Sequence, residues 1–168
     1  MFKILVPVNG SADSTNALEH AIRLCAQRAD AQLHLVNVQP RFHRHIARFL
    51  PRQTLDEECR RQGEAVLAPA RALAEQAGVS SVCKVTVGRT APALAAYARE
   101  LAIDQIVIGT ARKSPLLRLL TGSVTNRLIE VTNVPVEVIA GSRPGLLARW
   151  GLPAGIGLGV VLALIAAE

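Results

Sequence analysis

Aromatic residues are scarce in this sequence. Phe, Tyr and Trp make up 3% of the 168 residues, although half of the residues are hydrophobic and the net charge is +6. A basic balance of this kind is compatible with nucleic acid, an anionic ligand or a membrane surface. Proteins that bind single-stranded nucleic acid combine basic grooves with aromatic stacking platforms. Because we find no aromatic platform interleaved with the basic residues, we expect no nucleic-acid partner.

Cysteine is also scarce. Cys25, Cys59 and Cys83 lie far apart and form no CxxC motif. This pattern excludes a disulfide framework and a cysteine zinc site, and it indicates a reducing compartment. The segment Phe2–Val8 is a short strand-like run that follows a single lysine, so it does not resemble a signal peptide. We therefore expect the domain to lie in the cytoplasm.

The sequence lacks a recognisable catalytic arrangement, because we find no Ser/His/Asp set, no nucleophile elbow and no paired carboxylates. His43 and His45 form an HxH motif without a third ligand nearby in the sequence, so we expect no metal site there. We expect a protein that is not an enzyme.

Apolar strand-like runs alternate with amphipathic helix-like runs along the first 140 residues. The predicted strands are Phe2–Val8, Gln32–Val38, Val82–Val87, Ile103–Ile108 and Val134–Ile139. The predicted helices are Ala12–Ala29, Leu55–Ala77, Ala91–Leu101 and Ser123–Thr132. Alternation of this kind predicts an α/β fold with an open, five-stranded parallel sheet and helices on both faces.

Ligands of such sheets bind at the carboxyl edge. Asn9 and Gly109, which end the first and fourth predicted strands, should both lie on that edge.

The segment from Gln105 to Ile139 reads as a strand, a loop rich in glycine and basic residues, a helix opened by Gly122-Ser123, and another strand. The unpaired amides of a first helical turn and the helix dipole favour a bound anion. Ser123 and Thr125 can add hydroxyl donors. We interpret this segment as a phosphate site, and the alternative is an ordinary helix cap, for which serine is well suited.

The spacing of this segment resembles a known family. Gly109, two residues, position 112, nine residues and then Gly122-Ser123 resembles the nucleotide-binding signature of the ATP-binding universal stress proteins. Residues 1–140 resemble that family from end to end, including FKILVPVNGSADS at the start and TNVPVEVI at the end. The resemblance implies a HUP or Rossmann-like domain that binds ATP or another adenine nucleotide, with AMP, ADP and a cyclic dinucleotide left open.

The resemblance also implies which residues contact the nucleotide. The base and ribose would lie against Pro7, Val8, Asn9 and Val38. The chain after the fourth strand would contribute Ile108, Gly109, Ala111 and Arg112. The phosphates would be held by Gly122, Ser123, Val124 and Thr125.

Two positions depart from the family pattern. Arg112 stands where the family usually has glycine, and its guanidinium could either clamp a phosphate or fill the space that glycine leaves open. Asn9 stands where the family has aspartate. A neutral amide can still hydrogen-bond a ribose, but it lacks the charge that helps to hold Mg²⁺. We therefore expect nucleotide binding with a weakened Mg²⁺ site.

The function that the resemblance implies is that of a nucleotide-responsive regulatory stress protein. Because the final strand often pairs two subunits in this family, the resemblance implies a homodimer through Val134–Ile139. The alternative is an accessory or structural subunit of a membrane transporter that no longer binds nucleotide. A third option is slow ATP hydrolysis, but no residue is evident to position the attacking water.

The composition changes after Ala140. Residues 141–149 read as a linker, and Trp150–Ala167 is an uncharged, mostly apolar run of 18 residues that precedes Glu168. As a helix this run would be about 27 Å long, close to the thickness of a hydrocarbon core. The adjacent Arg143 and Arg149 suit a cytoplasmic flank. We predict an apolar C-terminal helix that anchors the domain to the cytoplasmic side of the inner membrane, and the alternative is a helix that packs on protein.

Small residues recur at every fourth position of this predicted helix, at Gly151, Gly155, Gly159, Ala163 and Ala167. Such a stripe allows membrane helices to pack closely. It predicts a helical partner in the membrane, either a second copy of the chain or a transporter.

Overall fold

The computed structural model describes residues 1–41, 51–110 and 124–140. In these ranges five strands alternate with four helices. Their bounds are β1 Phe2–Pro7, α1 Ala12–Ala26, β2 Ala31–Gln39, α2 Arg52–Gln76, β3 Ser81–Val87, α3 Thr90–Glu100, β4 Gln105–Thr110, α4 Val124–Val131 and β5 Val136–Ala140. The predicted elements are confirmed in kind and order, and their ends shift by a few residues.

The strands form one parallel sheet in the order β3-β2-β1-β4-β5. The predicted open, five-stranded α/β sheet is therefore confirmed. From β1 the chain builds outward through β2 to β3, and it then returns to the other side of β1 to add β4 and β5. The strand order thus reverses between β1 and β4, and their carboxyl ends border the crevice where ligands of open α/β sheets bind.

Helices cover both faces of the sheet, as predicted. Strand residues point alternately to the two faces, and each face has its own apolar core. On one face α1 and α2 pack over a core that includes Ile4, Val6, Leu33, Leu35 and Val107. On the other face α3 and α4 pack over a core that includes Leu5, Val36, Ile106 and Ile108.

Two of the helices end in the same hydrogen-bonded motif. After α2, Gly78 has a φ of 70°, and Val79 N–H donates to the Ala74 carbonyl at 2.9 Å. After α3, Ala102 has a φ of 48°, and Ile103 N–H donates to the Ala98 carbonyl at 2.8 Å. Both are Schellman caps, which favour glycine at the left-handed position. Gly78 therefore marks the end of α2 in the sequence, whereas the alanine leaves the end of α3 unmarked.

Strand β5 is tied to its neighbours through the Glu137 carboxylate. Gln105 Nε2 donates to Glu137 Oε2 at 2.7 Å, which joins β5 to β4. His20 Nε2 on α1 lies 2.9 Å from Glu137 Oε1, although the buried ring nitrogen is not aligned for a hydrogen bond. We interpret the second contact as a close polar pairing that holds β5 beside α1.

Several predictions concern residues outside the described ranges. They include the linker at 141–149 and the apolar helix at 150–168, together with the site residues Ala111, Arg112, Gly122 and Ser123. Among the helices of the described residues, none combines the length and the apolar character needed to cross a membrane. The membrane anchor therefore stays a prediction.

Candidate functional site

The carboxyl end of β1 is held in place by a buried asparagine on β2. Val8 N–H donates to the Val36 carbonyl at 2.9 Å, and Asn37 Nδ2 donates to the Val8 carbonyl at 2.7 Å. The Asn37 Oδ1 accepts a hydrogen bond from Gln39 Nε2 at 2.8 Å. Asn37 is only 3% exposed, so water cannot satisfy its side-chain amide. The two hydrogen bonds do so instead, as is usual for buried polar groups. Sequence reasoning missed this residue.

Asn9 is exposed and begins the turn that leads into α1. Its Oδ1 accepts hydrogen bonds from Ser11 N–H at 3.1 Å and from Ser11 Oγ at 2.7 Å. Ser11 Oγ in turn accepts from Ser14 N–H at 3.2 Å and caps the helix. Because the Ser11 amide requires an acceptor, it fixes the orientation of the Asn9 side chain. The Nδ2 group of Asn9 remains as the donor that a ligand can use.

Gly109 is the second-last residue of β4, where the strand passes the first turn of α1. A Cβ atom at this position would lie 1.9 Å from the Asp13 carbonyl oxygen and 2.4 Å from the Asp13 carbonyl carbon. No side chain fits at such distances. The close packing of β4 on α1 therefore requires glycine here, independently of any ligand, and it brings the ends of β1 and β4 and the start of α1 together.

Helix α4 follows β4 in the chain and is anchored by its buried face. Leu128 is fully buried among the residues of α3 and β4, and Thr125 is 9% exposed. Val124, the first residue of the helix, is 40% exposed. The first turn of α4 contains no acidic residue, so no side-chain carboxylate there competes with an anion for the helix dipole.

The structure describes eight of the twelve predicted site residues. Six of them lie at or near the carboxyl ends of the three central strands: Pro7, Val8, Asn9, Val38, Ile108 and Gly109. Val124 and Thr125 begin α4. Val8 and Ile108 have their side chains in the core, so in this conformation they present mainly backbone atoms to a ligand. Among the eight, the residues classed as exposed are Asn9 and Val124.

His34 is a buried residue of β2. Its Nδ1 lies 3.0 Å from Tyr97 Oη, and its Nε2 lies 3.1 Å from Gln32 Oε1. Since Gln32 Oε1 can only accept, a neutral ring carries its proton on Nε2 and accepts from tyrosine on Nδ1. Burial, followed by the positive charge of Lys3, lowers the pKa of His34 below its ordinary value of 6.5. We assign it a structural role.

The described ranges contain no group of three or more His, Cys, Asp or Glu side chains placed to hold a metal ion. The turn that follows β1 presents the neutral polar side chains of Asn9 and Ser11. A divalent cation would find no carboxylate ligand from these two residues.

Residues 1–140 match the model of the universal stress protein family. The chain belongs to this family. Universal stress protein MJ0531 of Methanocaldococcus jannaschii is 31% identical over 143 residues, a match that covers 82% of this chain and 81% of that protein.

Solved universal stress proteins share the fold. The crystal structure of a family member from Burkholderia pseudomallei superposes with a TM-score of 0.62 and 29% identity, covering 82% of this chain and 94% of that chain. A family member from Arabidopsis thaliana with AMP bound superposes with a TM-score of 0.63 and 20% identity, covering 88% of this chain and 99% of that chain. Both solved structures thus share the fold of this chain over most of its length.

Proposed function

We propose that this chain is a regulatory module that binds an adenine nucleotide at the carboxyl edge of the sheet between β1 and β4. The observation that carries the proposal is the point where strand order reverses. There Asn9 follows the end of β1, Gly109 is the second-last residue of β4, and α4 lies in the connection that follows β4. Family membership supports it, because the Arabidopsis relative holds AMP and other structures of the same fold hold cAMP and dAMP.

In this proposal different residues contact different parts of the nucleotide. The base and ribose lie against Pro7, Val8, Asn9 and Val38, and Asn9 donates from Nδ2 to a ribose oxygen. The end of β4 contacts the ligand through Ile108 and Gly109, and the chain after β4 contributes Ala111 and Arg112. The phosphates lie at the start of α4, on Gly122, Ser123, Val124 and Thr125, where backbone amides and the helix dipole stabilise negative charge.

Nucleotide binding is tested by calorimetric titration of the full chain with ATP, ADP, AMP and GTP. T125V removes one hydroxyl at the start of α4, and T132V removes one just after the end of the same helix, where Thr132 Oγ1 accepts from Val134 N–H. We expect adenine nucleotides to bind, and T125V to weaken ATP binding about tenfold, as the loss of a charge-assisted hydrogen bond implies. T132V should leave the Kd unchanged. If no adenine nucleotide binds or shifts the Tm, the proposal is wrong.

The proposed role is regulatory, since it assigns no catalytic residue. Occupancy of the site would change the surface that a partner recognises. Incubation with ATP followed by measurement of released phosphate tests this point, and turnover that T125V abolishes would replace the regulatory proposal with an enzymatic one.

We further propose that residues 150–168 tether the domain to the cytoplasmic face of the inner membrane. The support is in the sequence: an uncharged run of 18 residues after two arginines. The full chain should fractionate with membranes, and a chain ending at Ala140 should not. If both remain in the supernatant and monodisperse without detergent, the tether proposal fails.

The small-residue stripe from Gly151 to Ala167 would then pack against a second copy or against a transporter. The second candidate function, a transporter subunit without nucleotide binding, is favoured if the tail associates with a transporter while calorimetry detects no nucleotide. Cross-linking in membranes distinguishes a copy of the chain from a transporter as the neighbour.

We also propose a homodimer through Val134–Ile139. Strand β5 is an edge strand, and Val138 on it is 42% exposed, next to a helix α4 on which Ile129 is 53% exposed. V138E should dissociate the dimer in sedimentation experiments. V82E places the same charge on the opposite edge strand, where Val82 is 38% exposed, and should leave the dimer intact. A monomeric wild-type domain would contradict the proposal.

A further inference from the structure

Two arginines from different helices line one cavity beside the proposed phosphate site. The cavity has a volume of about 240 Å³ and is lined by Arg89, Thr90, Ala91, Pro92, Val124 and Arg127. We call it the arginine cleft. Arg89 and Thr90 lie at the start of α3, and Val124 and Arg127 lie in the first turns of α4. Because Val124 also belongs to the predicted phosphate site, the two sites adjoin.

The charge in the arginine cleft is not neutralised by the described part of the protein. Neither Arg89 nor Arg127 takes part in an ion pair there. By contrast, Arg60 and Arg61 on α2 pair with Glu64 and Glu58. Two guanidinium groups line the same small cavity, so an anion bound there would interact favourably with both of them.

The backbone at the cleft also favours an anion. Arg89 is the N-cap of α3 and makes no capping hydrogen bond with its side chain, and the first turn contains no acidic residue. Amides in this turn have no acceptor within the helix and lie at the positive end of its dipole. These amides supplement the two guanidinium groups, which are the main reason to expect an anion here.

The size of the cleft limits what it can hold. Pockets for drug-sized ligands have volumes of about 300–1,000 Å³, so 240 Å³ is too small for a whole nucleotide and sufficient for one or two phosphate groups. We propose that the arginine cleft binds the distal phosphate groups of the nucleotide, with Arg89 and Arg127 as the residues that select ATP over AMP. This inference rests on the proposed function, because it assigns the rest of the ligand to the adjoining site.

The test compares the Kd values of ATP and AMP for the full-length wild type and the double variant R89Q/R127Q. The matched control is R23Q/R99Q, which removes two exposed arginines from the last turns of α1 and α3. These turns lie at the amino ends of the strands, away from the carboxyl edge. We expect R89Q/R127Q to raise the ATP Kd about tenfold or more, with the AMP Kd unchanged. The control should bind both nucleotides as the wild type does.

Two other results of these titrations would overturn the inference. If ATP binds the wild type and R89Q/R127Q equally well, the arginine cleft is not a phosphate site, although the proposed function stands. If the double variant weakens ATP and AMP to the same extent, the arginines do not select distal phosphates and the inference fails.

If no protein binds a nucleotide, the proposed function fails, and titration with inorganic tripolyphosphate decides the arginine cleft separately. Binding to the wild type and to R23Q/R99Q, with loss in R89Q/R127Q, would support an anion site formed by the two arginines. Absence of tripolyphosphate binding to the wild type would overturn the inference as well.

Discussion

The side-chain amide of Asn37 donates a 2.7 Å hydrogen bond to the carbonyl oxygen of Val8. It thereby joins β2 to the residue that follows β1, immediately before Asn9. Because Asn37 is buried, water cannot take the place of this bond. The position of the backbone at the carboxyl edge depends on a polar group in the interior, and this dependence leads to the first prediction.

N37A should destabilise the protein and weaken ligand binding together. The substitution leaves the Val8 carbonyl buried without a donor, which costs about 1–3 kcal/mol in the free energy of unfolding. Chemical denaturation of N37A and Q39A measures the effect. Q39A removes the other partner of Asn37 but alters a half-buried residue, so its cost should be smaller. Equal stability of N37A and the wild type would contradict the role of this bond.

G109A should destabilise the protein because the new methyl group meets the Asp13 carbonyl. Overpacking of a close contact costs typically about 1–3 kcal/mol, and we expect the upper part of this range since the obstacle is backbone. The control is G78A. Gly78 has a φ of 70°, but no atom lies within 4 Å of the position that an added methyl group would take, so G78A reports backbone strain without a clash. If G109A costs no more than G78A, close packing is not the reason for this glycine.

His34 should make the protein less stable as the pH falls. Its pKa is lowered in the folded state by burial and by Lys3, so the unfolded chain binds the proton more tightly. The free energy of unfolding is therefore highest above the ordinary pKa of 6.5, where the ring is neutral in both states. It decreases as the pH falls through the lower, folded-state pKa. Denaturation at pH 7 and pH 5 should show a smaller loss for H34Q than for the wild type.

NMR titration of the His34 ring checks the same prediction directly. The ring should titrate below 6.5 in the folded protein. A ring that titrates above that value would have the opposite sign of linkage and would contradict the prediction.

N9D should make ATP binding depend on Mg²⁺. A carboxylate can still accept from Ser11 N–H and Oγ, so the turn should persist, but it replaces the Nδ2 donor by a negative charge that repels phosphate unless a cation intervenes. Calorimetry with Mg²⁺ or with EDTA should show little difference for the wild type and a large one for N9D. N133D adds the same charge on an exposed residue just beyond α4 and should behave as the wild type does. A Mg²⁺ requirement of the wild type would refute the prediction.

Much of the fold could be predicted because strands and helices differ in apolar period. The run Phe2–Val8 and the alternation that follows it specify a parallel sheet, and a parallel sheet places Asn9 and Gly109 at one edge. The end of α3 was predicted within one residue, although alanine at position 102 adopts a conformation that usually requires glycine. The end of α1 was predicted less well, at Ala29 instead of Ala26, because neither glycine nor proline follows that helix.

The site was less predictable because its supports come from tertiary contacts. In the sequence Asn37 reads only as a polar interruption of a strand, and its partner Val8 lies 29 residues away. The requirement for Gly109 arises from α1, which no local pattern reveals. Arg89 and Arg127 belong to different helices, so only the fold shows that they line one cavity.

The hydrogen-bond chain from Ser14 through Ser11 to Asn9, together with the contact of Gly109 on Asp13, makes the first turn of α1 part of the same corner as two strand ends. Segments that share such contacts tend to open and close as one cooperative unit. Amide hydrogens at the start of α1 should therefore exchange with solvent at the rate at which the whole corner opens, and a bound ligand should slow that exchange at residues it never touches.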